Sequence, residues 1–236
     1  MLKLIETNEE ALLIEEFCTD SFGINIVSML RAYPPGSDVC RCWIQITDDY
    51  LTAAVCSFEG EVVISTTLKA DFEELREFLD SVGYSTVFCQ ARDVVSLEMF
   101  ACGCGQVLRK EIAPSEFDGF ECPESVSDYR EIYSLLEIQG EFDAWFADIC
   151  HRVNKGTADM RFIRRDGKIV STASLLHIAG DKAVLGAVAT DKDYRGQGLA
   201  SSLVNSFGGY KIYLRCLPAL NSFYERLGYK LSLIHI

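Results

Sequence analysis

The stretch that decides the fold is Val188-Ala-Thr-Asp-Lys-Asp-Tyr-Arg-Gly-Gln-Gly-Leu-Ala200. Its residue pattern predicts the end of a strand, then a glycine-rich loop, then the start of a helix. Gly196 and Gly198 allow a positive φ or a close approach of the backbone to a ligand. The backbone amides from Gln197 onward become the unpaired donors of the first helical turn, which bind anions. The stretch therefore predicts a loop that holds a pyrophosphate.

The sequence on both sides of this loop predicts a sheet flanked by helices. Apolar runs predict strands at residues 160–165, 168–178, 183–190, 211–216 and 229–235. Apolar side chains three and four positions apart predict helices at residues 126–138, 142–153, 200–207 and 220–227. Asp166-Gly167 between the first two strands is typical of a two-residue hairpin turn. The pattern favours an α+β fold with a mixed sheet.

Two motifs of this region resemble one family. Arg195-Gly-Gln-Gly-Leu-Ala200 resembles the Arg/Gln-x-x-Gly-x-Gly/Ala motif of the GCN5-related N-acetyltransferases (GNAT), whose loop holds the pyrophosphate of acetyl-CoA. Asn221-Ser-Phe-Tyr-Glu-Arg-Leu-Gly-Tyr229 is similar to the last motif of that family. In that motif a tyrosine four residues before the glycine faces the acetyl-CoA thioester, and Tyr224 occupies this position. The resemblance implies an acetyltransferase-like fold with acetyl-CoA as co-substrate.

The resemblance also implies roles for particular residues. The implied cofactor-binding residues are Val188, Ala189, Thr190, Arg195, Gly196, Gln197, Gly198, Leu199, Ala200, Ser201 and Asn221. Tyr224 is the candidate acid that protonates the CoA thiolate, and a core aromatic with a satisfied hydroxyl is the alternative. Leu217 stands where the family often has an asparagine that meets the pantetheine, and Asn221 is expected to substitute for it in part.

The general base has no clear candidate. Many GNAT proteins carry a glutamate on the strand before the loop, whereas Ala183–Thr190 contains no carboxylate. His177 is the first candidate because an imidazole titrates near neutrality. A structural or exposed histidine is the alternative. Glu137 and Glu141, in the helical stretch expected to border the acceptor groove, are weaker candidates.

The N-terminal half shows the same order of elements. Tyr50–Phe58 and Glu61–Thr67 predict a hairpin, and a helix begins at Asp71. Residues 97–105 align with residues 220–228, with Ala101 in the position of Tyr224. The segment before Asp71 stands where a phosphate loop would be and contains neither glycine nor arginine. The order of elements predicts a second, degenerate copy of the domain.

Two domains follow from this repeat. We expect a degenerate GNAT-like, non-catalytic domain at residues 1–115 and a GNAT acetyltransferase domain at residues 120–236. Prolines and a glycine among acidic and small residues predict the seam at about residues 113–124.

Composition limits the partners. The net charge of −13 argues against nucleic acid and anionic membranes. Leu2–Ile14 is interrupted by charged residues, so it predicts neither a signal peptide nor a membrane span. We expect a cytoplasmic protein whose ten cysteines are reduced and packed as small apolar groups. No metal site is expected at Cys40-x-Cys42 or Cys102-x-Cys104, because both spacings are shorter than usual for zinc and no histidine is near.

The expected function is transfer of the acetyl group of acetyl-CoA to a primary amine of a small molecule or peptide. Transfer is expected to be direct, within a ternary complex of enzyme, acetyl-CoA and acceptor. One alternative is a CoA-binding pseudoenzyme, or a regulatory or interaction protein, without amine turnover. The other is transfer of a longer acyl group.

Overall fold

The computed structural model describes residues 1–101, 103, 105–113 and 118–232. The described chain divides into two units, Met1–Val107 with Ser232, and Leu108–Leu231. Four parts of the sequence interpretation lie outside the described residues: Cys102, Cys104, residues 114–117 of the expected seam, and residues 233–235 of the expected last strand. Among the described residues, no helix combines the length and the hydropathy needed to cross a bilayer.

The N-terminal unit is built on a five-stranded sheet. Its strands are β1 (Leu2–Leu4), β2 (Cys40–Thr47), β3 (Tyr50–Phe58), β4 (Glu61–Thr66) and β5 (Thr86–Phe88). Its α-helices are α1 (Asn8–Leu13), α2 (Ser21–Ala32), α3 (Phe72–Val82) and α4 (Ala91–Ser96), and Ile14–Phe17 is a 3-10 helix. The strands lie in chain order and are antiparallel up to β4. β5 is parallel to β4, because α3 carries the chain back across the sheet.

The second sheet contains six strands. They are β6 (Gln106–Glu111), β7 (Asp159–Arg165), β8 (Lys168–Ala179), β9 (Lys182–Thr190), β10 (Lys211–Cys216) and β11 (Lys230–Leu231). The α-helices are α5 (Val126–Leu135), α6 (Phe142–Asn154), α7 (Leu199–Ser206) and α8 (Asn221–Arg226), with 3-10 helices at Lys192–Tyr194 and Pro218–Leu220. The strand order is β11-β6-β10-β9-β8-β7, with β10 parallel to β9. β6 precedes the seam that the sequence predicts, yet it lies in this sheet between β11 and β10.

The helices of this unit cover both faces of its sheet. On one face Tyr129 and Ile132 of α5 and Ile149 of α6 form a buried cluster with apolar side chains of β7 and β8. On the other face Leu203 of α7 and Tyr224 of α8 belong to a separate buried cluster. The sheet therefore lies between two apolar layers, as in other α+β folds.

The two units repeat one order of elements. Three antiparallel strands, a crossover helix and a parallel strand occur as β2-β3-β4-α3-β5 and again as β7-β8-β9-α7-β10. The expected α+β fold and internal repeat are confirmed. The residue-by-residue alignment of 97–105 with 220–228 is wrong, because the N-terminal helix at this position, α4, ends at Ser96. The counterpart of α8 therefore comes before residues 97–105, and Ala101 does not correspond to Tyr224.

Candidate active site

β9 and β10 separate partway along their length. They pair in parallel from Lys182 opposite Lys211 to Leu185 opposite Leu214. β9 then continues for five more residues, Gly186–Thr190, and all five are half-buried. The pairing with β10 does not extend to these residues. The sheet is therefore open beside Val188, Ala189 and Thr190, which the sequence predicts to bind the cofactor.

Irregular pairing with β8 bends β9 where the opening begins. The register between β8 and β9 shifts twice, between Thr172 and Ser174 and between Leu175 and His177. Ala187 has a φ of 49°, which is rare for a residue with a side chain. A Cβ on Gly186 would lie 2.4 Å from Cδ1 of Leu176, so a larger residue here would require the Leu176 side chain to move. Bulges of this kind bend a strand and re-aim its side chains.

Hydrogen bonds fix the path from β9 into the loop. The Asp191 carboxylate accepts from the backbone amide of Asp193 at 3.0 Å and from Lys168 Nζ at 2.6 Å. Nε of Arg195 donates to the carbonyl of Thr190 at 3.1 Å. The loop thus begins from an anchored turn, and Arg195 itself is exposed.

The loop has the backbone conformation that the sequence predicts. Gly196 and Gly198 have φ values of 77° and 78°. A Cβ on either residue would have no neighbouring atom of the described residues within 4 Å. The backbone conformation, and not packing, therefore requires glycine here. Gly198 is the N-cap of α7 and supplies no side-chain cap. Gln197 and Gly198 are exposed, and Leu199, Ala200 and Ser201 in the first turn are half-buried.

The equivalent helix of the N-terminal unit begins differently. Asp71 is the N-cap of α3, and its carboxylate accepts from the amides of Glu73 and Glu74, each at 3.1 Å. An aspartate therefore already occupies the amides that an anion would use. The start of α7 is open to an anion, whereas the start of α3 is closed by the protein's own carboxylate.

Tyr224 lies close to the end of β10. Its ring is buried and packs edge-on against Phe223 at 4.9 Å and Tyr229 at 5.7 Å between centroids. Burial, with a smaller contribution from Cys216, raises the pKa of Tyr224 to about 12. The hydroxyl is therefore protonated at neutral pH.

Cys216 connects Tyr224 to Asn221. Cys216 is the last residue of β10, and its thiol donates to Oδ1 of Asn221 at 3.3 Å. Tyr224 and Asn221, both singled out from the sequence, thus lie together at the end of β10 where the sheet opens. Nothing in the sequence pattern identifies Cys216 as part of this group.

His177 lies in the closed part of the sheet. Its β9 partner is Val184, which is still paired with β10. Burial first, and then the positive charges of Arg152 and Arg215, lower the pKa of His177 well below its usual value. Its Nδ1 atom is buried without a hydrogen-bond partner among the described atoms. The imidazole is neutral and enclosed, and its register does not bring it to the glycine loop.

A cavity of about 940 Å³ borders the loop on the side of α5. Thr190 and Arg195 line it together with residues of α5 and of the turn between β7 and β8. Three further basic residues contribute to its wall: Arg130, Lys168 and Lys192. Glu137 also lines the cavity, whereas Glu141 is the exposed N-cap of α6. The sequence interpretation did not single out these three basic residues.

The matches to known proteins agree with this architecture. A family model described as acetyltransferase (GNAT) domain matches residues 158–231. A tandem GNAT protein from the clavulanic acid biosynthesis pathway superposes with a TM-score of 0.61 at 10% identity, covering 98% of this chain and 96% of its own. A GCN5-related N-acetyltransferase from Sphaerobacter thermophilus has a TM-score of 0.56 at 12% identity, covering 98% of this chain and 92% of its own.

A putative GNAT acetyltransferase from Novosphingobium aromaticivorans is similar over a shorter part, with 20% identity and a TM-score of 0.43. That match covers 54% of this chain and 60% of the Novosphingobium protein. A search of curated protein sequences finds no match. Residues 158–231 match a GNAT domain model, and the chain as a whole has the fold of tandem GNAT proteins.

Proposed function

We propose that this protein is an acetyl-CoA-dependent N-acetyltransferase whose acceptor is a primary amine of a small molecule or a peptide. One observation carries the proposal: the opening between β9 and β10 leads to a helix whose first turn has no side-chain cap. An extended, phosphorylated thioester needs both an open strand edge and a cluster of free amides.

The residues present fit such a ligand. The open space in front of Gly196 and Gly198 allows phosphate oxygens to approach the backbone amides from Gln197 to Ala200. The free edge of β9 from Val188 to Thr190 would hydrogen-bond the amides of the pantetheine arm as a further strand does. Lys192 and Arg195 in the cavity wall would add positive charge beside the phosphates, whereas Lys168 is paired with Asp191.

The chemistry is acyl transfer to nitrogen. Acetyl-CoA, when bound, supplies an acetyl group activated as a thioester. The new C–N bond forms as the C–S bond breaks, the nitrogen loses one proton and the sulfur gains one. Tyr224 is the residue proposed to give the sulfur its proton, because its hydroxyl is protonated at neutral pH and lies at the open end of β10. Its role is to donate to the charge that develops on sulfur.

The acceptor is expected to react as the neutral amine. β9 carries no carboxylate, and the lowered pKa of His177 makes its imidazole a weak base. We therefore expect kcat/KM to increase with pH toward the pKa of the amine itself.

The N-terminal unit is proposed to be non-catalytic. Asp71 caps α3 at the position where α7 presents open amides. A bound anion would have to displace this carboxylate and would be repelled by it. One CoA site per chain follows from this difference.

A second candidate is a CoA-binding pseudoenzyme without amine turnover, and the enclosed position of His177 favours it. A mass-spectrometric screen of amines, amino acids and peptides with acetyl-CoA separates the two functions. Acetylated product that forms with the wild type and is lost when Tyr224 is replaced supports the enzymatic function. CoA binding without any acetylated product across the panel supports the pseudoenzyme. Parallel reactions with longer acyl-CoA donors identify the acyl group.

A further inference from the structure

Three cysteines of the N-terminal unit face one another across two strands. Cys42 of β2 is directly opposite Cys56 of β3 in the antiparallel pair. Cys40 is two residues from Cys42 on the same strand, so the alternation of a strand places it on the same face. The three sulfur atoms all lie within 4.8 Å of one another, and those of Cys40 and Cys56 are 3.5 Å apart. Strand register thus adds a third thiol to the short Cys40-x-Cys42 pair.

The spacing of the sulfur atoms suits a shared ion. Zinc–sulfur bonds of about 2.3 Å in tetrahedral geometry place the sulfurs of two ligands about 3.8 Å apart. The observed separations, from 3.5 Å to no more than 4.8 Å, lie on both sides of that value. Small changes of side-chain torsion would therefore bring all three sulfurs to bonding distance.

The cluster is buried but lies beside an opening to the surface. The three residues are 4%, 3% and 2% exposed for Cys40, Cys42 and Cys56 respectively. A cavity of about 480 Å³ is lined by Cys40 and Cys42, and also by Glu6, Asp38 and other residues of the unit. The cavity thus borders two of the three cysteines and is large enough to hold water. Among the described residues, no further histidine, cysteine, aspartate or glutamate belongs to the cluster.

We propose that Cys40, Cys42 and Cys56 form a binding site for a thiophilic divalent ion, with a fourth position open to the cavity. Three thiolates and an exchangeable fourth ligand suit Zn²⁺, and the softer Cd²⁺ uses the same donors. This site lies in the N-terminal unit and is independent of the proposed acetyl transfer.

Binding releases protons. A cysteine thiol is ordinarily protonated at neutral pH, whereas the form that binds a metal ion is the thiolate. As each S–metal bond forms, one S–H bond breaks and its proton passes to the buffer. Three thiolates around a divalent ion leave a net charge of −1, which a water ligand facing the cavity helps to solvate.

The test is an anaerobic titration of the full-length, reduced protein with Cd²⁺, followed by near-ultraviolet thiolate-to-metal absorption. We expect one tight equivalent, which also displaces Zn²⁺ loaded beforehand, and release of about three protons from the metal-free protein, measured by calorimetry in buffers of different ionisation enthalpy. Cys56→Ala is expected to weaken binding about a hundredfold. Cys89→Ala, which changes a half-buried cysteine outside the cluster, serves as the matched control and should bind as the wild type does.

Absence of the thiolate band in the wild type would overturn the proposal, as would unchanged binding in Cys56→Ala. Circular dichroism establishes that the variant is folded, and Cys42→Ala replaces it if it is not. The proton count needs only the wild-type protein. Release of fewer than about two protons would mean that the ion binds elsewhere than at three protonated thiols.

Discussion

Gly198→Asp tests the anion-binding loop most sharply. Gly198 is the N-cap of α7 and has a φ of 78°, with open space where a Cβ would project. The added carboxylate would stand beside the amides proposed to hold the pyrophosphate. Two unit charges about 4 Å apart repel by about 1 kcal/mol in water and about 4 kcal/mol at an effective dielectric constant near 20. The variant should therefore bind CoA about five- to a thousandfold more weakly.

The change also strains the backbone, and a matched control separates the two effects. Gly180, in the turn between β8 and β9, has a φ of 65° and equally open surroundings. Gly180→Asp adds the same charge and a similar strain of about 1 kcal/mol away from the loop. Both variants should lose similar stability in thermal unfolding. Calorimetric titration with CoA should show weakened binding only in Gly198→Asp, and CoA affinity within twofold of wild type in that variant would refute the role given to the loop.

Three further predictions concern other parts of the C-terminal unit. Tyr224→Phe should lower turnover about ten- to a thousandfold with unchanged CoA affinity, measured with any acceptor found in the screen, because only the hydroxyl is lost. In His177→Gln the stability should fall less steeply below pH 6.5. The lowered pKa of His177 makes the wild type lose up to about 1.4 kcal/mol per pH unit as pH falls from 6.5 toward the folded-state pKa, and equal slopes in urea unfolding would contradict this. Lys110→Met should lower the free energy of unfolding by about 1–3 kcal/mol in the same assay, because Lys110 Nζ donates to the carbonyl of Leu227 at 2.6 Å and to Asn205 Oδ1 at 3.0 Å. An unchanged unfolding midpoint would show that these two hydrogen bonds contribute little.

Local signals predicted most of the C-terminal fold. Asp166-Gly167 between two apolar runs identified the β7–β8 hairpin, and the predicted strand at residues 211–216 is β10. The positive φ expected at Gly196 and Gly198 is observed, because glycine has no Cβ and adopts this conformation at no steric cost. These features depend on neighbours in sequence.

Features that depend on distant pairing were not predictable. The sequence around residues 106–111 does not reveal that β6 lies between β10 and β11, because strand order is set by long-range hydrogen bonds. The positive φ of Ala187 could not be predicted from the sequence either, since alanine rarely adopts a positive φ. The grouping of Cys56 with Cys40 and Cys42 depends on register between strands. In each case tertiary pairing, and not local propensity, decides the outcome.

The most direct test of the account is the stoichiometry of CoA binding to the full-length chain. The open amides at the start of α7 and the Asp71 cap on α3 together predict one CoA per chain by calorimetric titration. Failure of CoA to bind would contradict the assignment of the β9–α7 loop and of the acetyltransferase function with it. Two equivalent CoA molecules per chain would contradict the closed, non-catalytic role given to the N-terminal unit.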